Sequence, residues 1–309
     1  MIIHDGYEDL GLKKPVVTMG VFDGVHDGHR ALINHLVCRA REAGGEAVVV
    51  TFNPHPRLVL PGKKEDFSFL STLEEKKRLL EETFIDHLII IKFDKNLSNL
   101  DAIDFIKQIL VDKIGVKHFI IGYDHHFGKS RKGDLNIIRK CSEVYDFIVE
   151  QVSEVTTPGG IISSSAIREA LLSGHLEEAN KWLGYNYSLG GTVVGGRKIG
   201  RSLGFPTANV KPDDNFKLIP ADGVYAVEVQ LDDKKIPGML SIGFNPTVNK
   251  NPDKRTIEVN IFDFDGELYN QEIRIIFRFR MRDEVRFDNL EALSEQMRLD
   301  KQQALSLLG

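Results

Sequence analysis

Cysteine is nearly absent. Cys38 and Cys141 are the only two in 309 residues, both within helix-like segments and with no CxxC pairing. That excludes a disulfide framework and predicts a reduced, cytoplasmic protein. No sign of charge dominates either: 40 Lys+Arg stand against 45 Asp+Glu, a formal net charge of −5. Residues 1–183 carry 23 basic against 27 acidic side chains, and residues 184–309 carry 17 against 18. Neither half has the electrostatic footprint of a nucleic-acid binder. Long apolar runs are missing, since no stretch approaches the roughly 18 residues that span a membrane. The start, "MIIHDGYEDLGLKK", lacks the basic opening and apolar run of a signal peptide. There is no internal repeat and no low-complexity segment. Histidine is missing from the second half: all ten lie at or before His175, so histidine chemistry belongs to the first.

What is present falls into two rhythms, as the length leads one to expect. Up to Val152, short apolar runs ("PVVTMGVF", "EAVVVTF", "HLIIIKF", "KHFIIGY", "DFIVEQV") alternate with amphipathic stretches ("HRALINHLVCRAREA", "TLEEKKRLLEETF", "AIDFIKQILVDKI", "GDLNIIRKCSEVY"). Strands apolar throughout and separated by helices predict an α/β unit, a doubly wound parallel sheet covered on both faces. Thr72 with Glu75 three residues on reads as a capping box. Two short helices near 164–173 and 176–184 close this half. Beyond Trp182 the pattern becomes β-rich and alternating, and only "NLEALSEQMRLDKQQALSLL" reads as a helix. A small antiparallel β-barrel or sandwich with a C-terminal helix is expected. Asp265-Gly266 is a hairpin signal between two of its strands. The boundary falls near residues 183–187, giving domains 1–183 and 184–309.

The first constellation is "MGVFDGVHDGH", directly after the first strand run. Ligands of a parallel sheet bind beyond the carboxyl ends of strands, where the chain turns into a helix. Gly20 and Gly24 let the backbone bend, and Gly28 removes a side chain where a phosphate approaches. His26 and His29, three apart, face one side as the helix begins, and its free N–H groups point at the same spot. Together they suit a polyphosphate, with imidazoles placed to stabilise charge on a reacting phosphorus. Zinc ligation and a merely structural turn are the alternatives. No Cys or His set completes a zinc site nearby, and the Gly-Lys-Ser/Thr ending of a Walker loop is missing. The basic run Lys129-Ser130-Arg131-Lys132 is a solvated loop or a phosphate contact.

This turn, followed by "ISSSAIR" at 162–168, resembles the nucleotidyltransferase superfamily, with its HxGH and ISSTxxR motifs. Ser163, Ser164 and Ser165 can cap the helix that follows, and Arg168 adds a fork-shaped phosphate donor. The second constellation is "GGRKIGRSLGFPTANV" at 195–210, a glycine-rich basic loop ending in Thr207 and Asn209, whose hard oxygens suit Mg²⁺. A Gly-rich hairpin loop leading into a strand is the plainer alternative. "GRSLGFPTAN", "ADGVYAV", "SIGFNPT" and "TIEVNIFDFDGELY" match, in order, the motifs of riboflavin kinase. The whole chain therefore resembles the prokaryotic bifunctional riboflavin kinase/FAD synthetase family.

The resemblance implies two reactions, riboflavin to FMN and then FMN to FAD, both using MgATP. It makes Glu258 the kinase base and Thr207 and Asn209 the Mg²⁺ and phosphate ligands, with Gly195, Lys198 and Arg201 around the nucleotide phosphates. In the first half it gives His26, His29 and Arg168 to catalysis, and Gly20, Phe22, Gly28, Ser164 and Ser165 to ATP. Flavin contacts fall to Asn53, His55 and Pro56 of "TFNPHP", to Asp124 and Phe127 of "GYDHHFG", and to Arg282 and Arg286 of "RDEVRFDNLEAL". His125 and His126 replace the Phe-Arg pair expected between Asp124 and Phe127. Riboflavin, FMN, FAD and ATP are the implied partners, with flavins as substrates and products. Neither nucleic acid nor membrane is expected, and a homo-oligomer is compatible with the sequence.

Overall fold

The structure, a computed structural model, describes residues 1–62, 67–123, 128, 133–153, 156–157, 160–195, 204–244 and 255–309. The chain divides into two compact units, Met1–Ser164 and Ser165–Gly309.

The first unit is built on a six-stranded parallel sheet of order β1-β4-β3-β2-β5-β6. Its strands are β1 (Ile2–Asp5), β2 (Val16–Met19), β3 (Ala47–Asn53), β4 (His87–Lys92), β5 (His118–Ile121) and β6 (Ile148–Gln151). Val17, Val48, Val50, Ile89, Phe119 and Ile121 are almost fully buried, as apolar-throughout strands require. The helices are α1 (Asp27–Ala43), α2 (Pro56–Val59), α3 (Leu73–Glu81), α4 (Lys95–Asn99), α5 (Ala102–Phe105) and α6 (Leu135–Tyr145). The expected capping box forms, with Thr72 Oγ1 accepting from Glu75 N and Glu75 Oε2 from Thr72 N. The stretch read as one helix after Ala102 loosens into a π-helical turn, Ile106–Val111.

Two features depart from the sequence pattern. "IIHD" at the start is an edge strand, parallel to β4. With four residues and exposed Ile2 and Ile3, it carries no alternation to read. A second small pair, β7 (Thr156–Thr157) and β8 (Gly160–Ile161), precedes the next helix.

The second unit holds most of α7 (Ser164–Leu172), all of α8 (Leu176–Leu183), and a closed barrel. The barrel strands are β9 (Ser188–Val194), β10 (Ala208–Pro212), β11 (Gly223–Leu231), β12 (Lys234–Gly243), β13 (Thr256–Ile261) and β14 (Glu272–Arg282). Their closed order is β10-β13-β12-β11-β14-β9. The expected hairpin at Asp265-Gly266 is absent. β13 lies between β10 and β12, so the segment holding that dipeptide crosses to β14 instead of folding back. Closure outranks the local turn preference because it leaves no strand edge unpaired. The last helix, α9 (Leu290–Leu308), lays Ala304 against Ala226, Met239 and Phe262 on the outside of the barrel.

Candidate active sites

The turn from β2 into α1 is where the first unit concentrates its polar groups. Gly24 has φ +82°, as a glycine should, but Phe22 (φ +51°) and Val25 (φ +38°) share that left-handed region. Such conformations cost about 1–3 kcal/mol each and persist where surroundings impose them. Here both side chains are buried, Phe22 at 2% and Val25 at 0% exposure. Gly20 serves close approach instead of bending, because a Cβ there would meet the Phe22 ring at 3.1 Å. A Cβ on Gly28 would lie 3.1 Å from His26 Nδ1 and 3.5 Å from the Ile162 carbonyl. Gly28 therefore makes room first for an imidazole.

His26 is the N-cap of α1, its Nδ1 accepting from His29 N at 3.4 Å. The two imidazoles stack with centroids 3.7 Å apart and planes 18° off parallel, and Phe22 meets His29 edge-on at 5.2 Å. Burial, then His26, then Lys76 hold the His29 pKa well below its ordinary value, so this ring is neutral at pH 7. His29 Nδ1 is buried without a hydrogen-bond partner among the described residues.

The sequence reading missed what fastens this turn. Asp23, 3% exposed, accepts the Leu70 and Ser71 amides on Oδ1 at 2.8 and 3.1 Å. Gly24 N donates to Ser71 Oγ at 2.9 Å, and Ser164 Oγ donates to the Asp23 carbonyl at 2.9 Å. The "ISSS" motif is thus tied to the "FDG" turn through Ser164. Within α7, Arg168 Nη1 donates to Ser165 Oγ at 3.3 Å. An aspartate between two glycines was the available signal for Asp23.

At the end of β3, Asn53 is exposed and joined to Pro54 by a cis peptide, and its carbonyl accepts from Phe93 N. His55 caps α2, accepting Arg57 N at 3.1 Å, with Pro56 opening the helix and the His55 ring 4.6 Å from Phe67. Asp124, Phe127, Lys198 and Arg201 lie outside the described residues, as do His125, His126 and the basic run at 129–132.

In the barrel, register places Asn209 on β10 opposite Glu258 on β13, and Glu258 opposite Ser241 on β12. Directly paired residues share a sheet face. These three form a polar row on the face opposite the buried Val210, Ile257, Val259, Leu240 and Ile242. Thr207 Oγ1 lies 3.4 Å from Glu258 Oε2, and Asn260 Nδ2 holds the Pro206 carbonyl at 2.7 Å, fixing the "PTAN" segment onto β13. Gly195, at the entrance to the basic loop, is exposed.

Glu284, just after β14, was not singled out from sequence. It accepts Ser241 Oγ at 3.1 Å, and burial raises its carboxyl above the usual carboxylate range. A Cβ on Gly243 would fall 1.7 Å from Glu284 Oε2, so a larger residue there would push the Glu284 carboxyl out of this position. Arg282 is engaged by Asp300 of α9 in a two-pronged pair at 2.9 and 2.7 Å, while Arg286 is exposed. That pair anchors the segment carrying Glu284 to the terminal helix.

An α/β unit with a glycine- and histidine-rich turn after its second strand, joined to a barrel with a carboxylate–hydroxyl–amide row, is the frame of an enzyme with two separate centres. Residues 10–166 match the FAD synthetase family and residues 183–308 the riboflavin kinase family. The chain belongs to the bifunctional riboflavin kinase/FMN adenylyltransferase family. It is 37% identical over 301 residues to the enzyme of that name from Listeria monocytogenes, covering 97% of this chain and 94% of the other. The Escherichia coli K12 relative of the same name is 36% identical, with 95% and 93% covered. A crystal structure described as a macrolide-efflux protein from Streptococcus pneumoniae superposes with TM-score 0.87 and 32% identity over 98% of both chains. Its description departs from the two family matches. Among the described residues here, no helix is long and apolar enough to cross a membrane. The chain has riboflavin kinase and FMN adenylyltransferase activities.

Proposed function

We propose that the two activities are divided between residues 184–309, which phosphorylate riboflavin, and residues 1–183, which adenylylate FMN, each using ATP. In the barrel, Glu258 takes the proton of the riboflavin 5′-hydroxyl as that oxygen attacks the γ-phosphorus. Thr207 and Asn209 would hold Mg²⁺. A hydroxyl and an amide oxygen beside a carboxylate are the hard donors this ion accepts along with phosphates and water. When bound, the ion would supply positive charge to the phosphate oxygens. Positioning and charge balance carry the rest of such a transfer. Gly195, Lys198 and Arg201 are assigned to the nucleotide phosphates, and Arg282 and Arg286 to the flavin side, Arg282 through the segment it anchors.

Within residues 1–183, the FMN phosphate attacks the α-phosphorus of a second ATP and pyrophosphate leaves. A phosphate dianion needs no strong base. His26, His29 and the Gly20–Gly28 turn hold ATP and stabilise the transition state. Arg168, Ser164 and Ser165 are given the same task by their motif, and Asn53, His55, Pro56, Asp124 and Phe127 the flavin. The cytoplasm is the compartment that free Cys38 and Cys141 favour.

The observation that carries the reading is Glu258, opposite Asn209 and within reach of Thr207. Glu258→Gln should lower FMN formation by about 10²–10⁴-fold, the usual worth of a general base, while FMN-to-FAD conversion persists. Flavin chromatography reads both rates, and an FMN rate near wild type would remove Glu258 from this role.

A further inference from the structure

Two carboxylates converge on one serine in the barrel. Ser241 of β12 is the direct cross-strand partner of Glu258 on β13, and its Oγ donates to Glu284 Oε1 at 3.1 Å. Directly paired side chains stand about 4.5–5.5 Å apart at Cβ. Glu284 lies over the same face. Gly243 is two residues on from Ser241, so the Cβ it lacks would point the same way, and there it would meet Glu284 Oε2. The carboxyl is also held from the other side. Arg282, two residues before it, is clamped by Asp300 of α9, whose Oδ1 accepts Gln296 Nε2 as well, at 2.9 Å. Filling this space needs neither polar group, since alanine and an apolar side chain would avoid the cost of a half-buried carboxylate.

A serine has a single proton to give. Turned to Glu284, that proton is withheld from Glu258. Turned to Glu258, it would stabilise the ionised form and weaken the carboxylate as a proton acceptor. Without the hydroxyl, Glu284 would lose a donor, and its charge would act on Glu258 along the row and favour the protonated form. We propose that Glu284 and Ser241 are a positioning pair for riboflavin phosphorylation: each holds the other, so that neither a competing donor nor an unpaired second carboxylate acts on Glu258. The proposal rests on the reading of Glu258 as the kinase base. Among the described residues, the charged groups acting on Glu284 are Asp222, itself bonded to Arg255, and Arg282, bonded to Asp300. Facing Glu258 are Thr207 just before β10, Asn209 on it and Ser241 on β12, all uncharged.

The test is the acid limb of kcat/KM for FMN formation, which reports the base of the free enzyme. Glu284→Ala releases the Ser241 proton to Glu258. The limb should move to lower pH, and FMN formation at pH 7 should fall about tenfold, near the worth of one hydrogen bond to a charged group. Ser241→Ala should move the limb the opposite way, to higher pH. Ser241→Ala/Glu284→Ala removes both influences and should bring the limb back to its wild-type position. Glu284→Gln keeps an acceptor oxygen for Ser241 and should keep the wild-type limb. The Glu258 carboxyl, followed by ¹³C NMR without turnover and identified as the resonance that Glu258→Gln deletes, should titrate in step with each limb. Shifts of one sign in both single variants overturn the proposal. So does a double variant that stays where Glu284→Ala was, or Glu284→Gln behaving as Glu284→Ala. If Glu284→Ala does not fold, Ser241→Ala and Glu284→Gln decide: a rise in the first with none in the second supports the pair, and any other result overturns it. FMN formation that survives Glu258→Gln would defeat the base reading, whereas the carboxyl titration still judges the pair.

Discussion

Unfolded, Lys76 titrates near its ordinary 10.5; folding brings it to about 8 because the ammonium is stripped of water. Between those values the unfolded chain binds more protons, so stability rises with pH from about 8 to 10.5. Below pH 8 the full cost is present, on the order of 3 kcal/mol from the linkage relation. Lys76→Met should therefore unfold at higher urea than wild type at pH 7, with the gap closing towards pH 10.5. A variant less stable than wild type at pH 7 would contradict this account of the site. "EEKK" in an amphipathic segment reads as a solvated charge run, and nothing in that spacing says which lysine turns inward. The barrel differs. Glu258, Thr207 and Asn209 are singled out by the resemblance, and strand pairing sets Asn209 opposite Glu258 with Thr207 Oγ1 3.4 Å away, whereas Glu284 reaches the row from a distant turn.

At the scale of elements, α7 and α8 take their place from the barrel. Ala221 N donates to the Leu171 carbonyl at 2.9 Å, Asn180 Nδ2 to the Phe277 carbonyl at 3.0 Å, and Tyr187 N to Asn180 Oδ1 at 2.7 Å. Gly174, at φ +81°, leaves room for the Arg280 guanidinium, 2.9 Å from where its Cβ would be. A fragment of residues 165–309 should thus unfold at clearly higher urea than one of 184–309, while both phosphorylate riboflavin. Equal midpoints would make the helices passengers. Thr72→Ala, which removes half of the α3 capping box, should cost about 1 kcal/mol, read as a lower urea midpoint. Alternation and caps made the central strands and α3 legible. The edge strand β1 and the placement of β13 between β10 and β12 depend on partners distant in sequence, which no local pattern encodes.

For the molecule as a whole, adenylyl transfer is proposed for residues 1–183 and riboflavin phosphorylation for residues 184–309, so the reactions should fail independently. All ten histidines lie in the first half, and Glu258, the proposed base, pairs with Asn209 in the second. The most direct measurement gives riboflavin and MgATP to purified His29→Ala protein and separates the flavins over time. Loss of a preorganised charge-stabilising donor typically costs about 10²–10³-fold. FMN should accumulate at the wild-type rate, with FAD formation slowed by that factor. FAD appearing at near the wild-type rate, or FMN formation failing together with FAD, would contradict the division of labour.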